Sequence, residues 1–175
     1  KHRQNDHTIG RLERYDARKA YEAWEQSSFD DSNWGKAKEI GVPPMEPWNQ
    51  MVVVKRERLF YELIKPEKSW SLNGYKVYDF GKEITAFPRF TAKATKAGLT
   101  MTLGTGENLG SDSIPLMKDN VNYTDTYITK KGLQSWQPLT WRGFRYFAIK
   151  ENTDLEIDDV SALFRSFPVQ NKGYF

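Results

Sequence analysis

Carboxylates are the side chains most able to perform chemistry here, because the sequence has no cysteine and only two histidines, His2 and His7. Both histidines lie near the start of the chain, where side chains are rarely held in one geometry. A zinc site needs several histidine, cysteine or carboxylate ligands, and a nucleophile–histidine triad needs a fixed base. We therefore predict no metal site and no organic cofactor.

A pair of carboxylates can hydrolyse a glycoside, because that reaction needs an acid and a base or nucleophile across the scissile bond. Glu83, Glu107 and Asp125 are the candidates, since they stand beside the ends of strand-like runs. Nothing in the sequence pairs them, and each more simply accepts hydrogen bonds from backbone amides or an arginine. We predict that none of them is catalytic.

Three short runs superficially suggest a bound ion. Asp30-Asp31 and Asp158-Asp159 could each contribute to a calcium site, but calcium needs six or more oxygens and two adjacent acids supply too few. The run Gly104–Gly106 lacks the lysine and the following helix of a phosphate loop. All three are expected to be turns.

Aromatic and arginine side chains are concentrated between residues 136 and 147. Exposed aromatic rings can stack on sugars, and aromatic residues with arginine are also enriched at the centres of protein interfaces. Buried rings are ordinary core residues. The sequence leaves all three roles open for the candidate set, which is Trp136, Trp141, Arg142, Phe144, Arg145, Tyr146 and Phe147.

The strand-like run Phe144–Ile149 must position much of this set. Strict alternation would place Phe144 and Tyr146 on one face and Phe147 and Ile149 on the other. A strand that is apolar on both faces is normally covered on both. Because a sandwich sheet buries only one face against its partner sheet, we predict that the outer face docks against another domain rather than binding sugar.

Short strand-like runs separated by turn residues continue through the chain from Met51 onward. Asn73-Gly74 lies between Trp70–Leu72 and Tyr75–Phe80, which is a strong hairpin signal. Leu99–Leu103 alternates apolar and polar residues, which predicts one buried and one solvated face. About nine short strands favour an all-β fold, an antiparallel β-sandwich or jelly roll.

The distribution of charged and apolar residues excludes some classes of partner, and a proline-rich segment indicates a domain limit. The 26 Lys and Arg and 23 Asp and Glu residues are well mixed, whereas a nucleic-acid binder concentrates its basic residues. No apolar run approaches the length of a membrane span. We predict neither nucleic acid nor membrane as a partner. The proline-rich segment Pro43–Trp48 indicates that residues 1–50 end in a stiff connector, which is followed by a sandwich domain at 51–170.

Several motifs occur in an order that resembles one known family. They are YDFGKEI at Tyr78–Ile84, G-x-GENL at Gly104–Leu109, D-x-Y at Asp125–Tyr127, W-x-P at Trp136–Pro138 and T-x-x-GFRY at Thr140–Tyr146. Together they resemble the concanavalin-like β-sandwich domain that precedes the catalytic barrel of bacterial α-L-rhamnosidases. The segments ERYDAR at Glu13–Arg18 and FDDSNW at Phe29–Trp34 resemble the tail of the preceding N-terminal β domain, with Leu12 in place of a glycine.

The resemblance implies a non-catalytic domain of an inverting glycosidase, acting as scaffold and docking partner of an (α/α)6 catalytic domain in the same parent chain. Residues 1–50 would be a partial segment of the preceding domain, and 171–175 would begin the linker to the catalytic domain. The catalytic carboxylates would belong to that domain, the substrates would be rhamnose-containing glycans, and the parent would be periplasmic or secreted. The alternative is an autonomous carbohydrate-binding module that uses an exposed aromatic patch.

Overall fold

The computed structural model describes residues 3–4, 11–47, 49, 59–109, 117–118, 121–122, 124–167 and 173. The chain divides into two compact units, a larger unit of residues 1–20 and 59–175 and a smaller unit of residues 21–58. His2, His7, the predicted limit between residues 50 and 51, and all but one residue of the predicted linker 171–175 lie outside the described residues.

The larger unit is built almost entirely from strands, which confirms the predicted all-β class. A short 3₁₀ helix spans Ala17–Lys19, and no helix in the described part of the chain could cross a membrane. In chain order the strands are β1 (Arg3–Gln4), β2 (Arg11–Leu12), β3 (Arg14–Asp16), β4 (Phe60–Ile64), β5 (Lys68–Leu72), β6 (Tyr75–Ala94), β7 (Thr100–Gly106), β8 (Met117–Lys118), β9 (Val121–Asn122), β10 (Thr124–Ile128), β11 (Gly132–Trp136), β12 (Arg142–Lys150) and β13 (Leu155–Ser166).

One nine-stranded sheet contains most of these strands, in the order β3, β10, β7, β12, β6, β13, β4, with β5 and β11 also paired to β6. Its pairs are antiparallel except β10 with β3, which run parallel. The long β6 pairs with β5 and β12 in its first half and with β11 and β13 in its second half. The sheet curls around this strand, and both halves contribute to one core.

The hairpin between β5 and β6 is the predicted one. Asn73 and Gly74 both have positive φ, 49° and 78°, as a two-residue turn with this twist requires. The turn fixes the register, so that Trp70 lies opposite Val77 and Leu72 lies opposite Tyr75. The hairpin therefore places Trp70 and Leu72 on the same face of the sheet as Val77.

An irregularity in the middle of β6 changes which residues of β12 share a face. Between the pairs Ile84 with Phe144 and Asp79 with Tyr146, β6 contains extra residues, including Gly81 at a φ of 78°. A side chain at Gly81 would collide with the Glu67 carboxylate. The predicted alternation is therefore wrong for Phe144: the register shift places it on the core side together with Phe147 and Ile149.

The main core lies between the two halves of the curled sheet. One half contributes Met101, Leu103, Phe144 and Phe147, and the other half contributes residues that include Val160. The alternation predicted for Leu99–Leu103 is confirmed, because Met101 and Leu103 are buried while Thr100 is exposed. This packing holds β12 at the centre of the sheet, between β6 and β7.

The smaller unit has little regular structure in its described residues. Tyr21, Phe29 and Trp34 form a cluster in which ring centroids lie 5.4–6.3 Å apart. The Asp30 carboxylate accepts a hydrogen bond from the Ser32 backbone N–H at 3.0 Å, which is the predicted turn interaction. The unit is held by local contacts of this kind.

Candidate functional site

The candidate residues Trp136, Arg142, Phe144 and Phe147 are buried inside the larger unit. Phe144 stacks edge-on against Phe80 at 5.6 Å, and Trp136 stacks against Phe90 at 5.7 Å. Their burial leaves no side-chain surface for a partner or a sugar to contact. Of the three roles that the sequence left open, these residues therefore have the one of ordinary core residues.

Arg142 and Asp125 form an ion pair on the core side of the sheet. The Arg142 Nη2 atom lies 3.2 Å from Asp125 Oδ1, and both side chains are almost fully buried. Burial raises the pKa of the Asp125 carboxyl, and the opposing attraction of Arg142 limits that rise. Asp125 thus has the structural role predicted for it, as the acceptor for an arginine and a backbone amide.

That backbone amide belongs to Glu13, whose N–H donates to Asp125 Oδ1 at 2.6 Å. The Glu13 carboxylate in turn accepts hydrogen bonds from Trp136 Nε1 at 3.2 Å and from the Leu139 backbone N–H at 3.1 Å. Tyr15 stacks on Tyr127 with ring centroids 5.5 Å apart. These contacts attach β3 to the sheet edge at β10 and explain why the motifs around Glu13, Asp125 and Trp136 occur together.

The other face of β12 carries a second, smaller apolar group, which we call the outer cluster. Val77 and Ala148 are fully buried at its centre. Half-buried side chains surround them, and these are Trp70, Leu72, Tyr75, Leu109 and Tyr146. The two-sided apolarity predicted for this strand is therefore present, with cover on the outer face supplied only in part by the larger unit.

A second arginine–aspartate pair borders the outer cluster. Arg145 donates to Asp79 in bidentate fashion, with Nε to Oδ1 at 2.8 Å and Nη2 to Oδ2 at 3.0 Å. The guanidinium also lies 5.0 Å from the centre of the Tyr146 ring. The hydrogen bond from Arg145 lowers the pKa of Asp79, and the Gly81 backbone N–H lowers it further. The Arg145 side chain remains 38% exposed, so a partner can reach it.

The Trp141 side chain belongs to neither pair, although its backbone carbonyl accepts a hydrogen bond from Arg142 Nη1 at 3.4 Å. Half of its surface is exposed, and the Arg165 guanidinium is 5.9 Å from the centre of its ring. An arginine over one ring face leaves the remaining surface open to a ligand. Among the candidate residues Trp141 is the most exposed, so it is the one best placed to meet a sugar.

The candidate carboxylates do not converge on a catalytic arrangement. Glu83 and Glu107 are exposed, whereas Asp125 is buried with Arg142. Asp159 forms an ion pair with Lys65, and Asp30 is engaged in its own turn. The described part of the chain holds no group of three or more side chains suited to a metal ion.

Sequence reasoning did not assign Glu13, Trp70 or Asp79 to a site. The sequence could have placed Trp70 on the outer face, because the Asn73-Gly74 turn fixes the register of this hairpin. No local pattern identifies Glu13, whose partner Trp136 lies 123 positions later. Asp79 belongs to the YDFGKEI run, but its pairing with Arg145 depends on the irregularity at Gly81.

Comparisons with known proteins give a consistent result. A family model for the bacterial alpha-L-rhamnosidase concanavalin-like domain matches residues 71–165. An alpha-L-rhamnosidase of Formosa agariphila is 28% identical over 171 residues, covering 92% of this chain and 18% of that protein.

An alpha-L-rhamnosidase structure from Dictyoglumus thermophilum gives a TM-score of 0.67 at 26% identity, covering 93% of this chain and 19% of that one. The Aspergillus terreus alfa-L-rhamnosidase structure shares the fold, with a TM-score of 0.71, 24% identity and coverages of 95% and 20%. The chain thus spans about a fifth of each relative's length.

Proposed function

The chain belongs to the bacterial alpha-L-rhamnosidase concanavalin-like domain family, and we propose that it is a non-catalytic scaffold and docking domain of a larger α-L-rhamnosidase-like hydrolase. Its docking partner is the catalytic domain of the same parent chain. The parent acts on rhamnose-containing glycans. The relatives are about five times longer than the part this chain matches, which leaves ample chain for a separate catalytic domain.

The observation that carries this proposal is the outer cluster. Half-buried aromatic side chains on a sheet face, bordered by the exposed guanidinium of Arg145, have the composition found at the centres of interfaces. A contact between domains of one chain typically buries about 600–1,500 Å². Such a contact would complete the cover of Trp70 and Tyr146, which the larger unit covers only in part.

The candidate carboxylates support the non-catalytic part of the proposal. Glycoside hydrolysis needs two carboxyl groups facing one bond, and Asp125 is instead committed to Arg142 and Glu13. We expect the purified chain to leave an aryl rhamnoside unhydrolysed under conditions where the complete parent protein hydrolyses it. Turnover that disappears in a Glu107→Gln variant would contradict this expectation.

Binding tests the docking part directly. The catalytic region of the parent, expressed separately, should bind this chain, and Trp70→Ala and Tyr146→Ala should each weaken binding at least about fivefold because interface energy concentrates in central aromatic residues. Leu133→Ala is the matched control, since Leu133 is an exposed apolar residue outside the outer cluster. Equal binding by all three variants would refute docking at the outer cluster.

A second candidate function is direct glycan binding through Trp141. The half-exposed ring beside Arg165 is the observation that favours it. Calorimetric titration with rhamnose and rhamnosylated oligosaccharides would then give saturable binding that Trp141→Ala abolishes. If the chain instead binds the catalytic region and no such sugar, docking is the better account.

A further inference from the structure

A cavity of about 520 Å³ opens in the larger unit beside the end of β12 and the loop that leads to β13. Its volume falls within the range of roughly 300–1,000 Å³ that is typical of small-molecule sites. Lys76 and Tyr78 belong to the core side of β6, because they lie in register opposite Ile149 and Phe147. The cavity is therefore on the opposite side of the sheet from the outer cluster, and it plays no part in the proposed docking.

The inner surface of the cavity is apolar. Met101 and Ile149 are buried core residues that form part of this surface, together with Leu155 and Ile157 from the start of β13. The half-buried ring of Tyr78 lines the same space. A ligand with an extended C–H surface can pack against such walls without leaving polar atoms unsatisfied.

The rim of the cavity is polar and carries both signs of charge. Lys76 and Glu151 line it, and the Ser71 hydroxyl donates to Glu151 Oε1 at 2.5 Å. In the described ranges Lys76 forms no ion pair. Burial and the nearby Glu151 carboxylate raise the pKa of Tyr78, so its hydroxyl stays protonated and can donate at neutral pH.

From this geometry we propose that the cavity binds a short saccharide that carries a carboxylate. The apolar walls accept the C–H face of a sugar ring, and the Tyr78 hydroxyl and Glu151 carboxylate meet ring hydroxyls. Lys76 meets the sugar carboxylate, because a charge-assisted hydrogen bond to an ammonium group is stronger than one between neutral groups. The site supplies anchoring to an acidic glycan, which is a function separate from docking and does not rest on it.

Calorimetric titration with digalacturonate tests the proposal, with cellobiose as the uncharged disaccharide. We expect saturable binding of digalacturonate and at least tenfold weaker binding of cellobiose. Lys76→Met should weaken digalacturonate binding at least fivefold, and Tyr78→Phe, which removes only the hydroxyl, should weaken it at least threefold. Tyr75→Phe is the matched control, because Tyr75 belongs to the outer cluster on the opposite face of the same strand, and it should leave binding unchanged.

Each contrary outcome overturns the proposal in a distinct way. Absence of digalacturonate binding by the folded wild-type chain excludes the site. Binding that survives Lys76→Met and Tyr78→Phe but is lost in Trp141→Ala transfers the sugar to the exposed tryptophan. Tighter binding of 4-phenylbenzoate than of digalacturonate shows that the cavity prefers an aromatic carboxylate to a saccharide. None of these results affects binding of the catalytic region, so failure here is distinguishable from failure of docking.

Discussion

The two faces of β12 carry arginine–aspartate pairs in contrasting surroundings. On the core face, Arg142 and Asp125 are almost fully buried, and the Glu13 backbone N–H donates to Asp125. On the outer face, Asp79 is mostly buried but Arg145 remains 38% exposed and lies over the Tyr146 ring. The same residue types thus form a buried ion pair on one face and a partly exposed ion pair on the other.

The difference follows from what each pair connects. The core-face pair joins β10 to β12 and to Glu13, which directly precedes β3, and these residues all belong to the larger unit. The outer-face pair joins β6 to β12 and leaves the arginine available to something else. A buried pair is costly to break, whereas a solvent-exposed pair contributes little to stability. We therefore assign stability to the core face, and the docking proposed above uses the outer face.

The sharpest test of this contrast removes each arginine in turn. Arg142→Ala should lower the free energy of unfolding by about 3–5 kcal/mol, because it leaves the Asp125 charge buried without its cation. Arg145→Ala should lower it by less than about 1 kcal/mol, as expected for a partly exposed pair. Urea unfolding at neutral pH measures both values. Equal losses would remove the distinction between the faces.

A change in the hairpin should affect the outer face with less effect on the core. Gly74→Val forces a β-branched residue to a φ of 78° in the turn that sets the positions of Trp70 and Leu72. We expect destabilisation of about 1–3 kcal/mol, the range for a residue held in a strained region. Gly173→Val, outside the strands, is the control. An unchanged denaturant midpoint would contradict this description of the turn.

The hairpin also shows what the sequence can predict about this fold. Asn73-Gly74 is a local signal, and local signals identified this hairpin, most strands and the all-β class. The turns predicted at Gly104–Gly106 and Asp158-Asp159 were wrong, because these residues lie within β7 and β13. The sequence predicted Tyr75–Phe80 and Phe87–Ala94 as separate strands, but both belong to β6. It likewise separated Leu155–Ile157 from Val160–Phe164, and both belong to β13. Continuity depends on partner strands that bridge each irregularity, and such pairing is not a local property.

The sites were harder to predict than the fold for the same reason. Phe144 and Phe147 were expected on opposite faces, but extra residues in β6 shift the register of its partner β12. The role of Glu13 depends on Trp136 and Asp125, which are distant in sequence. Arg145 and Tyr146 both border the outer face, although strict alternation would place these two neighbours on opposite faces.

The attachment of β3 offers a smaller test of the core face. Glu13→Ala removes the acceptor for Trp136 Nε1 and the Leu139 backbone N–H, and should cost about 1 kcal/mol because those donors are only partly buried. Glu13→Gln keeps one carbonyl acceptor and should cost less. Thermal unfolding followed by tryptophan fluorescence compares the two variants. A larger loss in the glutamine variant than in the alanine variant would oppose this description.

The smallest expected effect is a difference in pH dependence between the two aspartates. Arg145 holds the pKa of Asp79 below its ordinary value of 3.8, so the native state gains stability above that value and loses it as the pH falls through the lowered pKa. Burial raises the pKa of Asp125, so its contribution has the opposite sign and declines as the pH rises from 3.8. Asp79→Asn should flatten the acid-side loss of stability, and Asp125→Asn should steepen it. Parallel pH profiles for the two variants would contradict the assigned environments.

The central claim is that the outer cluster docks against the catalytic domain, and hydrogen–deuterium exchange tests it most directly. In the described part of the chain β5 pairs with β6 alone, so no described strand covers its outer edge. We predict that amide exchange across Lys68–Leu72 slows at least about tenfold in the complete parent protein, because a bound partner lowers the population of open states. Exchange in β11 (Gly132–Trp136) should stay the same. Identical exchange across Lys68–Leu72 in the isolated chain and in the parent would contradict the claim.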